Sequence, residues 1–463
     1  AHRGLKPQIQ RYDEQINSTR DFWVWDLSVQ PPKCVKIPFI LVAVNPGNCI
    51  FVEKDAWEKT VSQNDINTVN VYLNEKTPEG SINSGSGIYC NDISTFGEPP
   101  DIDKNKKTYF LYYKMGTYMG YGFDGYFNAF DQIPDDVAYS QYKQHSNESD
   151  ILYMNCAKND ISEDYMLSVL AHEFQHLIHY RYDPDELNWL NESLSEAAMI
   201  INGYYTDTEH VKKYTQMPEY PLVASGRISY GACLLFGTYI YERFGEMFLR
   251  KLVENKDKSI ESFSTTFKAL NINMDFRTLM KMWASQNLLH PLAMSMEIDS
   301  DYKYRLIDFQ KFKINHHFSG QDTEYTGTIK PFAVQYISVD PDLAPFKVAV
   351  SESIKNGTQV SRALDVADTN ETDIKKGDVH IVNNLSDLDR EAIKEVLISE
   401  KIAKKTAENS VSVQFAGISR KEKFIHVADM TYSSPDQGKW DEIYLIVINF
   451  HNEAVECKIS LQK

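Results

Sequence analysis

The sequence predicts an α+β protein, and three observations carry that expectation. Strand-like runs fill the first third of the chain, helical periodicity takes over after about Ser162, and strand-like runs return beyond Ser319. In the first part, residues 37–44, 49–52, 68–73, 108–113 and 151–155 are dense in β-branched and aromatic side chains. Asn45-Pro46-Gly47-Asn48 joins the first two runs, with Pro then Gly at the central positions of a type II turn, so a hairpin is expected. Apolar positions three and four apart in 166–180, 190–201, 230–244, 248–253 and 276–289 predict helices. Gly203 and Gly245 lie just past two of these stretches and read as helix stops. After a polar segment, 319–324, the runs 333–339, 346–350, 411–415 and 443–450 predict strands. A helix is expected at 388–408, opened by Ser386 with Asp389 three positions on in the manner of a capping box. The expected organisation is a β-rich part (1–161), a helical part (162–318) and a mostly β, sandwich-like C-terminal domain (319–463).

At 463 residues the chain is too long for one core, so two or three domains are expected. With 48 basic against 65 acidic residues the net charge is −17, which argues against nucleic acid or an anionic membrane as partner. The longest apolar run, 37–44, contains a proline and falls far short of the roughly 20 residues of a spanning helix. A first residue that is Ala rather than Met reads as a chain whose targeting signal has been removed, and a secreted or cell-surface location is expected. Six cysteines, scattered without CxxC or Cys/His knuckle spacing, read as structural, and Cys233 sits in an apolar stretch where a buried thiol is expected.

The chemistry-bearing segment is Ala171-His172-Glu173-Phe174-Gln175-His176-Leu177-Ile178-His179, an HExxH pattern inside a strongly periodic helix. A spacing of four stacks His172 and His176 on one helix face, so two imidazole nitrogens can converge on one metal ion. Glu173, turned by about 100° from its neighbour, flanks that position and can act as a general base. Chance alone produces HExxH in roughly one such chain in 50, so the motif needs support. The apolar stripe of Met166, Val169, Leu170, Leu177 and Ile178 provides it, because the two histidines lie off the stripe.

Further support comes from Trp189-Leu190-Asn191-Glu192-Ser193-Leu194-Ser195-Glu196. A hydrolytic zinc site needs a third protein ligand and an open position, and a carboxylate on a second helix supplies it. Glu192, 16 positions after His176, is the expected third ligand. Glu196, one turn further, is expected to hydrogen-bond the distal nitrogen of His172 and fix its tautomer, and the two roles can be exchanged.

HEFQH followed by WLNESLSE resembles the gluzincin metallopeptidases, and among them the hyicolysin-like peptidases, over about residues 162–203. The resemblance implies zinc, with His172, His176 and Glu192 as ligands and Glu173 as catalytic base. The 16-position gap is shorter than in thermolysin-like and aminopeptidase relatives, so the loop 181–188 must be tight and Glu196, at 20 positions, competes with Glu192. Relatives commonly take an oxyanion donor from a Tyr or His of a downstream helix. Tyr230, opening the 230–244 helix, is the candidate, with His179, His210, Tyr204, Tyr205 and simple packing as competing readings.

Residues 151–155 read either as an exposed edge to which an extended substrate adds, or as a central strand. The acidic loop Asp183-Pro184-Asp185-Glu186 offers oxygen ligands to calcium, although a solvated loop is the preferred reading. Asn17, Asn147, Asn191, Asn356, Asn370 and Asn384 begin N-x-S/T triplets, and Asn191 is a poor glycan site beside a ligand. The expectation is a zinc endopeptidase acting on protein or peptide, with the C-terminal domain binding substrate, carbohydrate or a surface. An aminopeptidase and an adhesin with an inactive peptidase domain are the alternatives, the former lacking a GxMEN-type motif.

Overall fold

In a computed structural model, the residues described are 15–29, 31–117, 122–224, 228–297, 301–344, 346–354, 359–363, 411–420, 424–429, 440–451 and 453–462. Their contacts divide the chain into two units. One is built from residues up to Glu186 with Asn191–Thr208 and Phe236–Lys256, the other from Leu187–Leu190, Glu209–Leu235 and the residues from Asp257 onward.

The first unit holds β1 (Thr19–Asp26), β2 (Lys33–Val44), β3 (Asn48–Glu53), α1 (Gln63–Asn74), α2 (Ile88–Phe96), β4 (Thr108–Tyr113), β5 (Gly125–Phe127), α3 (Asp135–Tyr142), β6 (Ile151–Asn155) and α4 (Asp164–Tyr182). Its sheet runs β1-β2-β3-β4-β6-β5, with β3, β4 and β6 parallel and the other pairings antiparallel. Strands β4 and β6 are buried along their whole length, as expected of parallel strands covered on both faces. On one face Phe22, Phe39, Phe51, Tyr109, Tyr113 and Tyr153 form an aromatic core with edge-to-face pairs such as Phe22–Phe51 at 5.1 Å. Against the other face lies α4, whose Phe174 packs 5.9 Å from Phe110 and stacks on Tyr89.

Two sequence expectations change here, and one left open is decided. Residues 68–73 are not a strand but the second half of α1. Ser62 and Asp65 cap that helix reciprocally, and Ile66, Val69 and Leu73 are buried at helical spacing, so packing overrides the β-propensity of Thr68, Val69, Val71 and Tyr72. The hairpin between β2 and β3 forms, but Gly47 is not among the residues with positive φ, so the turn is not type II. The glycine is needed for space instead, because a Cβ there would lie 2.5 Å from the Tyr89 ring. Finally, β6 is the central strand of the two readings offered for it, and the short β5 is the edge. Gly203 and Gly245 stop their helices at φ 84° and 75° as expected.

All six cysteines are free, and Cys49, Cys156, Cys233 and Cys457 are buried. Asn147 is committed to the fold: its side chain accepts from the Trp23 N–H at 2.8 Å and donates to Trp23 O and to Tyr153 Oη. A glycan on its nitrogen would replace one of the two N–H groups and break at least one donated bond.

Helices α5 (Asn188–Ile201) and α7 (Tyr230–Phe244) run through both units, and α8 (Glu246–Glu254) belongs to the first. The second unit adds α6 (Thr208–Gln216), α9 (Ile260–Ala269) and α10 (Phe276–Ser295), and then β7 (His316–Phe318), β8 (Glu324–Ile329), β9 (Val334–Val339), β10 (Lys347–Ile354), β11 (Gln359–Ala363), β12 (Val411–Ser419), β13 (Phe424–Asp429), β14 (Glu442–Asn449) and β15 (Val455–Gln462). These strands make two sheets, β11-β10-β15-β8 and β13-β12-β14-β9-β7. Ile329, Val348, Val350 and Ile459 of the first sheet share one core with Ile337, Val413, Phe415 and Leu445 of the second. That is a β-sandwich, so the molecule is α+β as expected. The helix expected at 388–408 lies outside the described residues. Among the described residues no helix is long and apolar enough to cross a membrane.

Candidate metal centre

The motif helix α4 buries Met166, Leu167, Leu170, Ala171, Phe174, Leu177 and Ile178, which leaves His172, Glu173 and His176 on a partly accessible face. It ends at Tyr182, and α5 begins at Asn188, so the connection is as tight as the spacing required. Helix α5 carries Glu192 and Glu196 one turn apart toward the two histidines. Glu192 Oε2 lies 3.2 Å from His172 Nε2 and 3.6 Å from His176 Nε2, and the two Nε2 atoms are 3.1 Å apart. Glu196 Oε1 lies on the other side of the His172 ring, 3.4 Å from Nδ1.

The outer nitrogens settle the inner ones. Asn191 Oδ1 accepts from His176 Nδ1 at 3.1 Å and from His179 Nδ1 at 3.0 Å, and Ser195 Oγ, which donates to Gln175 Oε1, lies 3.0 Å from His176 Nδ1. With the Nδ1 protons directed at Asn191 and Glu196, both Nε2 lone pairs face each other and a carboxylate oxygen that is buried without a hydrogen bond. Two lone pairs and an anion at such distances repel unless a proton or a metal cation lies among them. His172, His176 and Glu192 offer one ligand atom each, all within 4.8 Å of one another, a donor set that suits zinc.

Burial alone would lower the pKa of His172, but Glu192 and Glu196 outweigh it and hold the ring well above the ordinary histidine range. Burial would raise Glu192, and His176 and His172 outweigh it, so that carboxyl is held far below its ordinary range. Glu173 differs: burial raises its pKa against the pull of the two histidines, while the Phe127 N–H donates to it. Its side chain runs along the end of β5, where a Cβ on Gly125 would come within 3.0 Å of Glu173 Cγ. Because Asn155 N–H donates to Asp124 O and Tyr126 pairs with Tyr153, Tyr126 turns its backbone groups inward. Those of Gly125 and Phe127 face the outer edge beside Glu173, which no other strand among the described residues pairs.

Tyr230, at 38% exposure, opens α7 in the second unit, its ring 5.4 Å from that of His210. His179 is buried and serves through Asn191. In the acidic loop Asp183 and Glu186 are buried rather than solvated, and among the described residues the loop forms no convergent group of three ligands. A second acidic group, Asp101, Asp103 and Asp150, does converge. Its carboxylates accept from the N–H groups of Lys106, Asn105 and Ile102 and from the Gln132 side chain.

Sequence reasoning passed over Asn191, Ser195 and Gln175 as supports, and over β5. Asn191 was legible in principle, because it lies on the turn of α5 that carries Glu192. It also passed over Gly237 in α7, where a Cβ would meet Ser193 O at 2.0 Å and Ala197 Cβ at 3.2 Å. The close approach of α7 to α5 thus depends on a missing side chain. Gly237→Ala is expected to displace α5, and Glu192 with it, from its present seat against α7, weakening zinc binding about 10–100-fold and costing about 1–3 kcal/mol of stability. Chelator competition and thermal melting measure the two effects.

Fold and site define an α+β protein in which an HExxH helix and the helix after it bring two imidazoles and a carboxylate together. No family model matches the chain. A 123-residue stretch is 34% identical to the protein described as "Neutral metalloprotease ShpI" of Staphylococcus hyicus, covering 22% of this chain and 25% of that protein. The chain thus shares partial similarity with a neutral metalloprotease, across about a quarter of that relative's length.

Proposed function

We propose that the chain is a zinc-dependent endopeptidase of the gluzincin kind, acting outside the cell on protein or peptide. The observation that carries the reading is the convergence of His172 Nε2, His176 Nε2 and Glu192 Oε2, with Glu173 beside them. The partial similarity to a neutral metalloprotease supports it. His172, His176 and Glu192 would hold the ion, and Glu196, Asn191 and Ser195 would orient the two rings. Bound there, zinc supplies Lewis acidity toward water and the scissile carbonyl.

The chain's own residues do the rest. Glu173, its carboxyl pKa raised by burial, takes a proton from the attacking water and delivers it to the leaving amine. The outer edge of β5 receives the extended substrate backbone through the outward groups of Gly125 and the Phe127 carbonyl, the Phe127 N–H being held by Glu173. Tyr230 Oη is the proposed donor to the developing oxyanion.

Purified protein should contain about one zinc per chain and cleave casein in a chelator-sensitive way. Glu192→Gln should lose the zinc, whereas Glu196→Gln should keep it with an affinity lowered about 10–100-fold. The reverse order would exchange the two roles, and a wild-type chain without zinc or without cleavage would end the reading.

A further inference from the structure

Beside the start of β5, on the sheet face turned away from α4, lies an open depression of about 340 Å³ lined by Trp25, Leu27, Pro32, Phe123 and Tyr126. Its lining is almost wholly apolar, and Phe123 stands 48% exposed at its rim, unusual for so large an apolar side chain. The depression is firmly built. Tyr126 stacks on Tyr153 at 4.5 Å, Tyr113 Oη donates to Trp25 O, and Leu27 N–H donates to Met115 O.

We infer that this depression is the substrate-side-chain pocket that sets cleavage specificity, taking an aromatic or large aliphatic residue of an extended peptide paired on β5. The inference rests on the endopeptidase reading and adds the substrate class. Alternation along β5 carries it. The Cβ position of Gly125 meets Glu173 and the Phe127 ring packs 5.2 Å from that of Tyr180 in α4, while Tyr126 between them turns to the opposite face and into the depression. A peptide laid on the outer edge of β5 repeats that alternation. Where one of its residues faces the Glu173 side, its neighbour faces Trp25, Leu27, Phe123 and Tyr126. At about 3.4 Å per residue, the pocketed side chain stands within three residues of the bond presented to Glu173. An apolar pocket fits an apolar side chain, since a charged one would lose hydration with no partner there.

The test is a digest of a proteome-derived peptide library, with cleavage sites read by mass spectrometry, for the wild-type chain and for Phe123→Asp and Leu27→Asp. The wild-type chain should favour Phe, Tyr, Leu or Met over Ala about tenfold at one fixed position within three residues of the cut. Each variant should abolish that preference and leave the others, with zinc content unchanged. Because Phe123 is so exposed, its variant should fold, and the Leu27 variant checks the result independently. Cleavage with no apolar preference in that range, or a preference that both variants leave intact, overturns the pocket but not the peptidase. A chain that cleaves nothing in the library overturns both.

Discussion

Replacing His176 with alanine is expected to strip the zinc from the protein and abolish cleavage, while far-ultraviolet circular dichroism stays that of the wild type. His176 Nε2 lies 3.1 Å from His172 Nε2 and 3.6 Å from Glu192 Oε2, so it is one of the three converging atoms. Its removal leaves one imidazole and one carboxylate, too few to hold zinc against water. The loss should therefore exceed the ~10–100-fold that an outer-shell partner costs. The helix should survive, because the buried face of α4 comes from Leu170, Phe174, Leu177 and Ile178 and alanine is a better helix former than histidine. Elemental analysis after dialysis reads the result directly. Retention of stoichiometric zinc would remove His176 from the ligand set.

Glu173→Gln is expected to leave zinc content unchanged and to lower kcat by about 10²–10⁴. The substitution keeps the shape of the side chain beside Gly125 and an oxygen to accept the Phe127 N–H, so packing gives no reason for loss of structure. What it removes is a carboxylate able to take a proton and give it back. KM should change little, since the edge groups of β5 and the pocket beyond Tyr126 are untouched. Equal cleavage by the variant and the wild type would show that another group moves the proton. The two variants separate metal binding from proton transfer: the first loses both zinc and turnover, the second turnover alone.

The legible parts of the site are those whose geometry is local. His172 and His176 share a face because they are four apart on one helix, and no tertiary knowledge is needed to see it. The same holds for Glu192 and Glu196 as a pair on α5, but not for the order of their roles. That order depends on how α5 lies across α4, which brings Glu192 to the Nε2 side of His172 and Glu196 to the Nδ1 side. Strand β5 escaped notice because three residues are too few for an alternation to register. Residues 68–73 misled because β-branched side chains raise strand propensity while a capping box and three buried positions make the helix. The type II turn misled for a related reason. A glycine after a proline suggests positive φ, whereas Gly47 answers to the Tyr89 ring from a distant helix.

By itself, then, the sequence determined the α+β class, the long helices, most of the long strands and the HExxH spacing, all of which follow from periodicity and residue type over a few turns of chain. Only the tertiary structure decided which strand is the edge, which carboxylate faces both imidazoles, and that Asn191 holds two histidines at once. It also placed an apolar depression one residue along β5 from the groups beside Glu173. These depend on contacts between segments far apart in the chain, whose partners no local pattern names.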